Sequence, residues 1–343
     1  MARSYRQAGV DIDEAKRAVE LIGLAAAATA TPAVLAGIGG FGSLFRFDPT
    51  THPDPVLVAS TDGVGTKLKI AIALERYDSI GVDLVNHCIN DIAVQGADPL
   101  FFLDYLAVGK LRAEIAAEIV GGVANACAAA GVSLVGGETA ELPDLYASAD
   151  FDLAGFIVGV VARADLIDGS AVRVGDAVLG LPSSGLHTNG YSLARRVFSE
   201  DEWRRTAPGL DRTIGEVLLE PHRSYLDEIR ILRRALREAG GDALAFAHIT
   251  GGGWVDNIPR TLPNGLGVEV QLGSWPVPLI FSLIQQRGDI ADAEMVRTFN
   301  LGIGLTCVVR ADLAHLALRA VPEARQVGSV VPHAPGAARV TFV

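Results

Sequence analysis

Apolar segments of two kinds alternate along this chain, and that alternation limits the possible folds more than any other feature. VLVAST at 56–61, LFFLDYLAV at 100–108, VSLVGG at 132–137 and FDLAGFIVGVVARA at 151–164 are β-branched and aromatic runs of strand length. Segments with helical spacing lie between them. Leu84, Val85, Cys88, Ile89, Ile92 and Ala93 form a stripe that predicts a helix over 83–95, with Asn90 and Asp91 off its apolar face. Ile115, Ile119, Val123 and Ala126 predict another over 112–130. Ala15, Ala18, Val19 and Ile22 predict a third over 12–28, opened by Asp11 and Glu14 in the manner of a capping box. Residues 67–76 suit a helix or an extended continuation. With few hairpin signals, the pattern argues for an α/β or α+β architecture.

The text turns polar and turn-rich at DLIDGSAVRVGD, 165–176, and a new set of elements begins at AVLGLP. A domain boundary is therefore expected near 170, dividing the chain into 1–170 and 171–343. In the second part helices are expected near 190–199, 224–239, 279–287 and 312–320. Strands are expected near 177–181, 267–271, 303–309, 326–331 and 338–343.

At 343 residues the chain has the length for two domains with sizeable cores. Its net charge of −11 argues against nucleic acid or an anionic membrane as the main partner. An anionic small substrate stays compatible, because the field at one site can oppose the global charge. Cys88, Cys127 and Cys307 are odd in number and widely spaced, which suits buried reduced thiols in a cytoplasmic protein. The N-terminus lacks an apolar segment behind its basic residues, so no signal peptide is expected. Leu21–Phe45 carries no charge, but it is built from Ala, Gly and Thr and broken by Pro32, a poor composition for a membrane span.

Acids and glycines gather where elements end. In TDGVGTKL the order Gly63, Gly65, Thr66, Lys67 fails the Walker A pattern, although an acid, Asp62, follows the strand directly. Asn90 and Asp91 open NDIAVQGADP, and Glu138 and Glu141 stand in GGETAELP. Each acid alone suits a turn or cap. Converging, Asp62, Asp91 and Glu138 would suit Mg²⁺, which takes carboxylate oxygens and bridges phosphates. Lys67 could then pair with a phosphate as a point charge. In SSGLHTNGYS, His187 lies among Ser183, Ser184, Thr188 and Asn189, a polar glycine-rich setting suited to proton transfer or substrate contact. Gly251, Gly252 and Gly253 precede Trp254, Val255 and Ile258, as in a loop that opens a helix and offers N–H groups to phosphate. His87 is expected to be a satisfied helix residue, and His52, His222, His315 and His333 show no partner at a metal-ligand spacing.

TDGVGTKL, NDIAVQGADPLFFLDY, LVGGETAELP, SSGLHTNGYSL, HITGGGWVDNIPR and RTFNLGIG, with AGVDID near the start, resemble the phosphoribosylformylglycinamidine cyclo-ligases, and the likeness runs from about residue 5 to near the C-terminus. The resemblance implies an ATP-dependent, Mg²⁺-using ligase of purine biosynthesis that closes formylglycinamidine ribonucleotide to 5-aminoimidazole ribonucleotide. It also implies a homodimer whose N-terminal sheets pair into a barrel, with a C-terminal α/β layer carrying the glycine loop. On this basis Asp62, Asp91 and Glu138 would be metal ligands. Asp62, Gly63, Gly65, Thr66, Lys67, Asn90 and Asp91 would face ATP. His187, Thr188, Asn189 and Gly251–Gly253 would face the ribonucleotide, and His187, Lys67 and Asp62 would be catalytic. Many relatives have a lysine near residue 23, where this chain has Gly23. A thiamine-monophosphate kinase of the same fold group, or a non-catalytic nucleotide sensor, are the competing expectations. Selenophosphate synthetase is disfavoured because no cysteine precedes Cys88.

Overall fold

The computed structural model describes residues 9–343; the stretch 1–8, which begins the segment without a signal-peptide pattern, lies outside the described residues. Two compact units are formed. One holds the described residues up to Ile92 together with Asp98–Ala164, and the other holds Ala93–Ala97 with Asp165–Val343. The short 93–97 segment joins the second unit through backbone bonds, among them Ile167 N–H to the Gln95 carbonyl at 3.1 Å.

The first unit runs α1 (Ile12–Ala27), β1 (Val34–Ala36), β2 (Leu44–Phe45), β3 (Pro55–Gly63), α2 (Leu68–Leu74), α3 (Ile80–Ala93), β4 (Asp98–Val108), α4 (Ala113–Ala130), β5 (Ser133–Glu141) and β6 (Phe151–Ala162). The four long strands form one sheet in the order β3-β6-β4-β5, antiparallel except for the β4/β5 pair. Asp62, Gly155, Asp104 and Gly137 stand in one register row across it. The next row is Gly63, Ala154, Tyr105 and Glu138. Side chains alternate faces along a strand, so Asp62 and Glu138 point to opposite sides of the sheet.

Helix α3 lies on the Asp62 side. A Cβ on Gly155 would meet Leu84 of α3 at 2.9 Å, so the missing side chain admits the helix. The same economy brings α3 against α4, where a Cβ on Gly81 would sit 2.2 Å from Val123 N. Helix α3 is buried nearly all round, and Asn90 is fully buried, not off an apolar face as its stripe suggests. Helix α4 is apolar and long enough to cross a membrane by length and composition, yet half of it is buried within the unit. The start of α1 also differs from the expected box. Asp11 does accept from the N–H groups of Asp13 and Glu14. Glu14, however, accepts from Ala113 N–H at 2.7 Å, while Glu141 takes the N–H of Asp11 at 2.9 Å and of Leu111 at 2.8 Å. Two carboxylates thus fasten the entry of α1 to the entry of α4 with charge-assisted bonds.

The second unit runs β7 (Ala177–Pro182), α5 (Tyr191–Val197), α6 (Glu200–Trp203), α7 (Ile214–Leu218), α8 (Leu226–Glu238), β8 (Ala245–His248), α9 (Gly253–Asn257), β9 (Leu266–Val270), α10 (Leu279–Gly288), α11 (Asp292–Thr298), β10 (Ile303–Val309), α12 (Ala314–Ala320), β11 (Arg325–Pro332) and β12 (Val340–Phe342). Its six-stranded sheet has the order β12-β9-β11-β7-β10-β8, antiparallel except for β12/β9. Trp254, fully buried, stacks on Trp275 with ring centroids 5.0 Å apart in the core of this unit. Both indole N–H groups are satisfied, by the carbonyls of Asn300 at 3.0 Å and Leu301 at 2.8 Å. Truncating such a residue costs roughly 3–5 kcal/mol. All three cysteines are buried and free, as their spacing predicts.

Candidate active site

Strand β3 delivers Asp62 to its last turn of sheet, and α3 presents His87 and Asp91 one helical turn apart on the same side. Asp62 Oδ2 lies 2.9 Å from His87 Nε2, and the Asp62 Oδ1 accepts the N–H of Gly63 at 2.7 Å. Ser60 Oγ donates to Asp91 Oδ2 at 3.1 Å. Burial raises the proton affinity of Asp62, but the His87 hydrogen bond and charge with the Gly63 N–H outweigh it, and its carboxyl is held below the ordinary range despite Asp91 nearby. Burial works the other way on His87. There the hydrogen bond to Asp62 and the charges of Asp62, Asp91 and Asp83 prevail, and the imidazole is raised above its ordinary value. The histidine is satisfied, as expected, and its partner is Asp62 itself.

After Asp62 the chain turns through Gly65, at φ +69°, into one turn of 3₁₀ helix at Gly65–Lys67 that leads to α2. Gly65 and Thr66 are exposed, while Lys67 is fully buried. Lys67 Nζ donates to Asp83 Oδ1 at 2.8 Å, and both side chains are fully buried. Within the described residues Lys67 is thus held by a carboxylate of the same unit. A buried ammonium needs a carboxylate at once, and α3 supplies one. Asn90 is likewise fully buried inside the unit.

Glu138 is exposed on the opposite face of the sheet and does not join Asp62 and Asp91 within the chain. It lines a cleft of about 700 Å³ with Val19, Ile22, Phe41, Tyr105 and Phe156. Gly23 of α1 faces open space, with nothing within 4 Å of a Cβ placed there. Asp104 stands between the two regions. Its Oδ1 lies 2.2 Å from where a Gly137 Cβ would be, and burial raises its carboxyl to about 7.

In the second unit the structure brings the two expected loops together. Gly251 sits beside Asn189, whose Oδ1 would lie 3.4 Å from a Gly251 Cβ. The glycine loop needs its composition: Gly253 has φ +57°, and a Cβ there would be 2.3 Å from the Val296 carbonyl. Asn257 Nδ2 fastens the loop, donating to the carbonyls of Gly251 at 3.1 Å and Gly253 at 2.7 Å. Asn300 fastens the other, its Nδ2 donating to the Gly185 carbonyl at 2.9 Å and its Oδ1 accepting from Ser183 Oγ at 3.1 Å. His187 is fully buried at φ +63°, with Nε2 accepting the Ser184 N–H at 3.2 Å. His222, which showed no partner at a metal-ligand spacing in the sequence, and His248 stand beside it: His222 stacks on His187 and bonds His248. These histidines are too far apart in sequence for any spacing rule to join them.

Two family models together span most of the chain. "AIR synthase related protein, N-terminal domain" matches residues 42–161 and "AIR synthase related protein, C-terminal domain" matches residues 173–340. A curated protein named phosphoribosylformylglycinamidine cyclo-ligase from Desulfitobacterium hafniense (strain DSM 10664 / DCB-2) is 53% identical over 309 residues, covering 90% of each chain. One of the same name from Anaeromyxobacter dehalogenans (strain 2CP-1 / ATCC BAA-258) is 50% identical over 350 residues, covering 100% of each. Among solved structures, thiamine-monophosphate kinase from Stenotrophomonas maltophilia K279a superposes with a TM-score of 0.67 at 17% identity, covering 94% of this chain and 95% of that one. The E. coli protein HypE gives 0.65 at 20% identity, with 94% and 92% covered. At such identities these two show a shared fold.

Proposed function

The chain belongs to the phosphoribosylformylglycinamidine cyclo-ligase family, and from that membership we propose how its own residues carry the reaction. The protein is a ligase of purine biosynthesis that closes formylglycinamidine ribonucleotide to 5-aminoimidazole ribonucleotide at the expense of ATP. An amide oxygen is a poor leaving group. Transfer of the γ-phosphate makes it a good one, and the amidine nitrogen then closes the ring.

One observation carries the assignment of the nucleotide side: Asp62 is bonded to His87, and the charge of Asp91, on the same side of α3 as His87, acts on both. The donor set fits Mg²⁺, with hard carboxylate oxygens whose like charges act on one another and an Asp62 side chain 40% exposed that leaves room for water. Asp62 and Asp91 would hold the ion, which when bound would offset the charge of the phosphates. Gly63, Gly65 and Thr66 follow along the chain and would border the nucleotide, with Lys67 and Asn90 bracing that wall from inside. His187, Thr188 and Asn189 belong to the loop assigned to the ribonucleotide, together with Gly251, Gly252 and Gly253. Leu57 and Phe156, 64% and 44% exposed, leave apolar surface on the first unit that a second copy would cover, which favours a homodimer. A cytoplasmic location accords with the three reduced, buried cysteines.

The kinase and sensor alternatives make different predictions. Purified protein with ATP and Mg²⁺ should release ADP with formylglycinamidine ribonucleotide and yield an aminoimidazole that forms a diazo dye. Release of ADP with thiamine monophosphate instead would favour a kinase, and binding of ATP without turnover on either would favour a sensor.

A further inference from the structure

We infer that His222 is the positioning residue for the 183–190 loop, holding His187 through ring stacking so that Thr188 and Asn189 keep their place beside Gly251. His187 is at φ +63°, a left-handed conformation that a residue with a Cβ keeps only where its surroundings enforce it. Three surroundings do so. The Ser184 N–H donates to Nε2 at 3.2 Å, which fixes the in-plane direction of the ring. Gly304 on β10 admits the ring edge, since a Cβ there would be 2.4 Å from His187 Cε1. The face of the ring is covered by His222, with centroids 4.0 Å apart and planes at 20°.

His222 is itself locked from both ends. Its Nε2 stands 3.0 Å from His248 Nε2 at the end of β8, and its Nδ1 stands 3.4 Å from Thr188 Oγ1. One imidazole donates and the other accepts across the first contact. The three rings are 0%, 1% and 6% exposed for His187, His222 and His248, so they form a wall under the loop and not its working surface. This assigns to Asn189, the less buried of the two loop residues after His187, the contact with substrate and to His187 an indirect part. It deepens the substrate-side assignment made above and rests on that assignment only for its kinetic consequence.

Hydrogen exchange followed by mass spectrometry tests the positioning without turnover. His222→Ala and His222→Gln, which remove the stacked ring, are expected to speed amide exchange in peptides covering 183–190 at least tenfold, with β7 and β10 peptides unchanged. His222→Phe, which keeps a stacked ring, is expected to retain protection and so serves if the smaller variants fold poorly. In turnover assays the Ala and Gln variants should raise KM for the ribonucleotide at least tenfold with kcat within threefold. Unchanged exchange at 183–190 in the Ala and Gln variants would overturn the inference. So would loss of kcat at constant KM, which would put the histidines in proton transfer. Stoichiometric zinc retained by wild type and lost in His222→Phe would also overturn it, making the three imidazoles a metal centre.

Discussion

Asp62 Oδ2 and His87 Nε2 stand 2.9 Å apart, tying the end of β3 to the middle of α3 at the point where Asp91 also arrives. A partly exposed carboxylate placed there contributes little to packing, and its replacement costs about one hydrogen bond, roughly 1 kcal/mol. Asp62→Asn and Asp91→Asn are therefore expected to lower kcat by about 10²-fold or more, with melting temperatures within a few degrees of wild type. ADP release and circular-dichroism melts check both halves of this statement. Wild-type turnover in either variant would remove that residue from the site.

The buried pair Lys67–Asp83 makes a separate prediction. Lys67→Met leaves the Asp83 carboxylate inside the unit without its ammonium, and breaking such a pair from one side costs about 3–5 kcal/mol. The double change Lys67→Met with Asp83→Leu removes both charges and should regain most of that loss. Urea titrations of the single and double variants measure the coupling, and additive losses would mean that Lys67 is not held chiefly by Asp83.

Asp104 sets a pH dependence. Its folded value of about 7 exceeds the ordinary carboxyl value because burial disfavours the charge. Between about pH 4 and 7 the folded chain binds this proton more tightly than the unfolded chain does, so the stabilisation is full below about pH 4 and is lost as pH rises through 7. Asp104→Asn should flatten the decline in unfolding free energy over that window, measured by urea titration at several pH values. An equal decline in wild type and variant would contradict the assignment.

Gly253→Ala tests the second loop. The added methyl would meet the Val296 carbonyl at 2.3 Å on a backbone at φ +57°, so both space and conformation resist it. A loss of about 2–4 kcal/mol is expected in chemical unfolding. Gly265→Ala, also at positive φ but with nothing within 4 Å of the new methyl, should lose only about 1 kcal/mol. Equal losses would mean that crowding at 253 is relieved by movement.

Helical spacing located α1, α3 and α4, and β-branched runs located β3 to β6 and β7, because each long element buries apolar side chains at its own period. The short β8 escaped notice: AFAH is four residues with no alternation, and its burial comes from pairing with β10. Acids at element ends were legible one at a time. That Asp62 and Asp91 share a face while Glu138 takes the other follows from strand register, which a single sequence does not state. The Lys67–Asp83 pair was hidden for a related reason, since only the packing of α3 shows that Asp83 comes inward to meet the ammonium. The histidine wall was invisible because its members come from three separate segments.

The most direct test of the acid pair is binding of Mn²⁺ in the presence of a non-hydrolysable ATP analogue, followed by the electron paramagnetic resonance of the free ion. Wild type is expected to take up Mn²⁺, Asp62→Asn and Asp91→Asn to weaken uptake at least tenfold, and Glu138→Gln to stay within threefold of wild type. Unweakened uptake by both aspartate variants, with loss in the Glu138 variant, would contradict the account by placing the ion on the other face of the sheet.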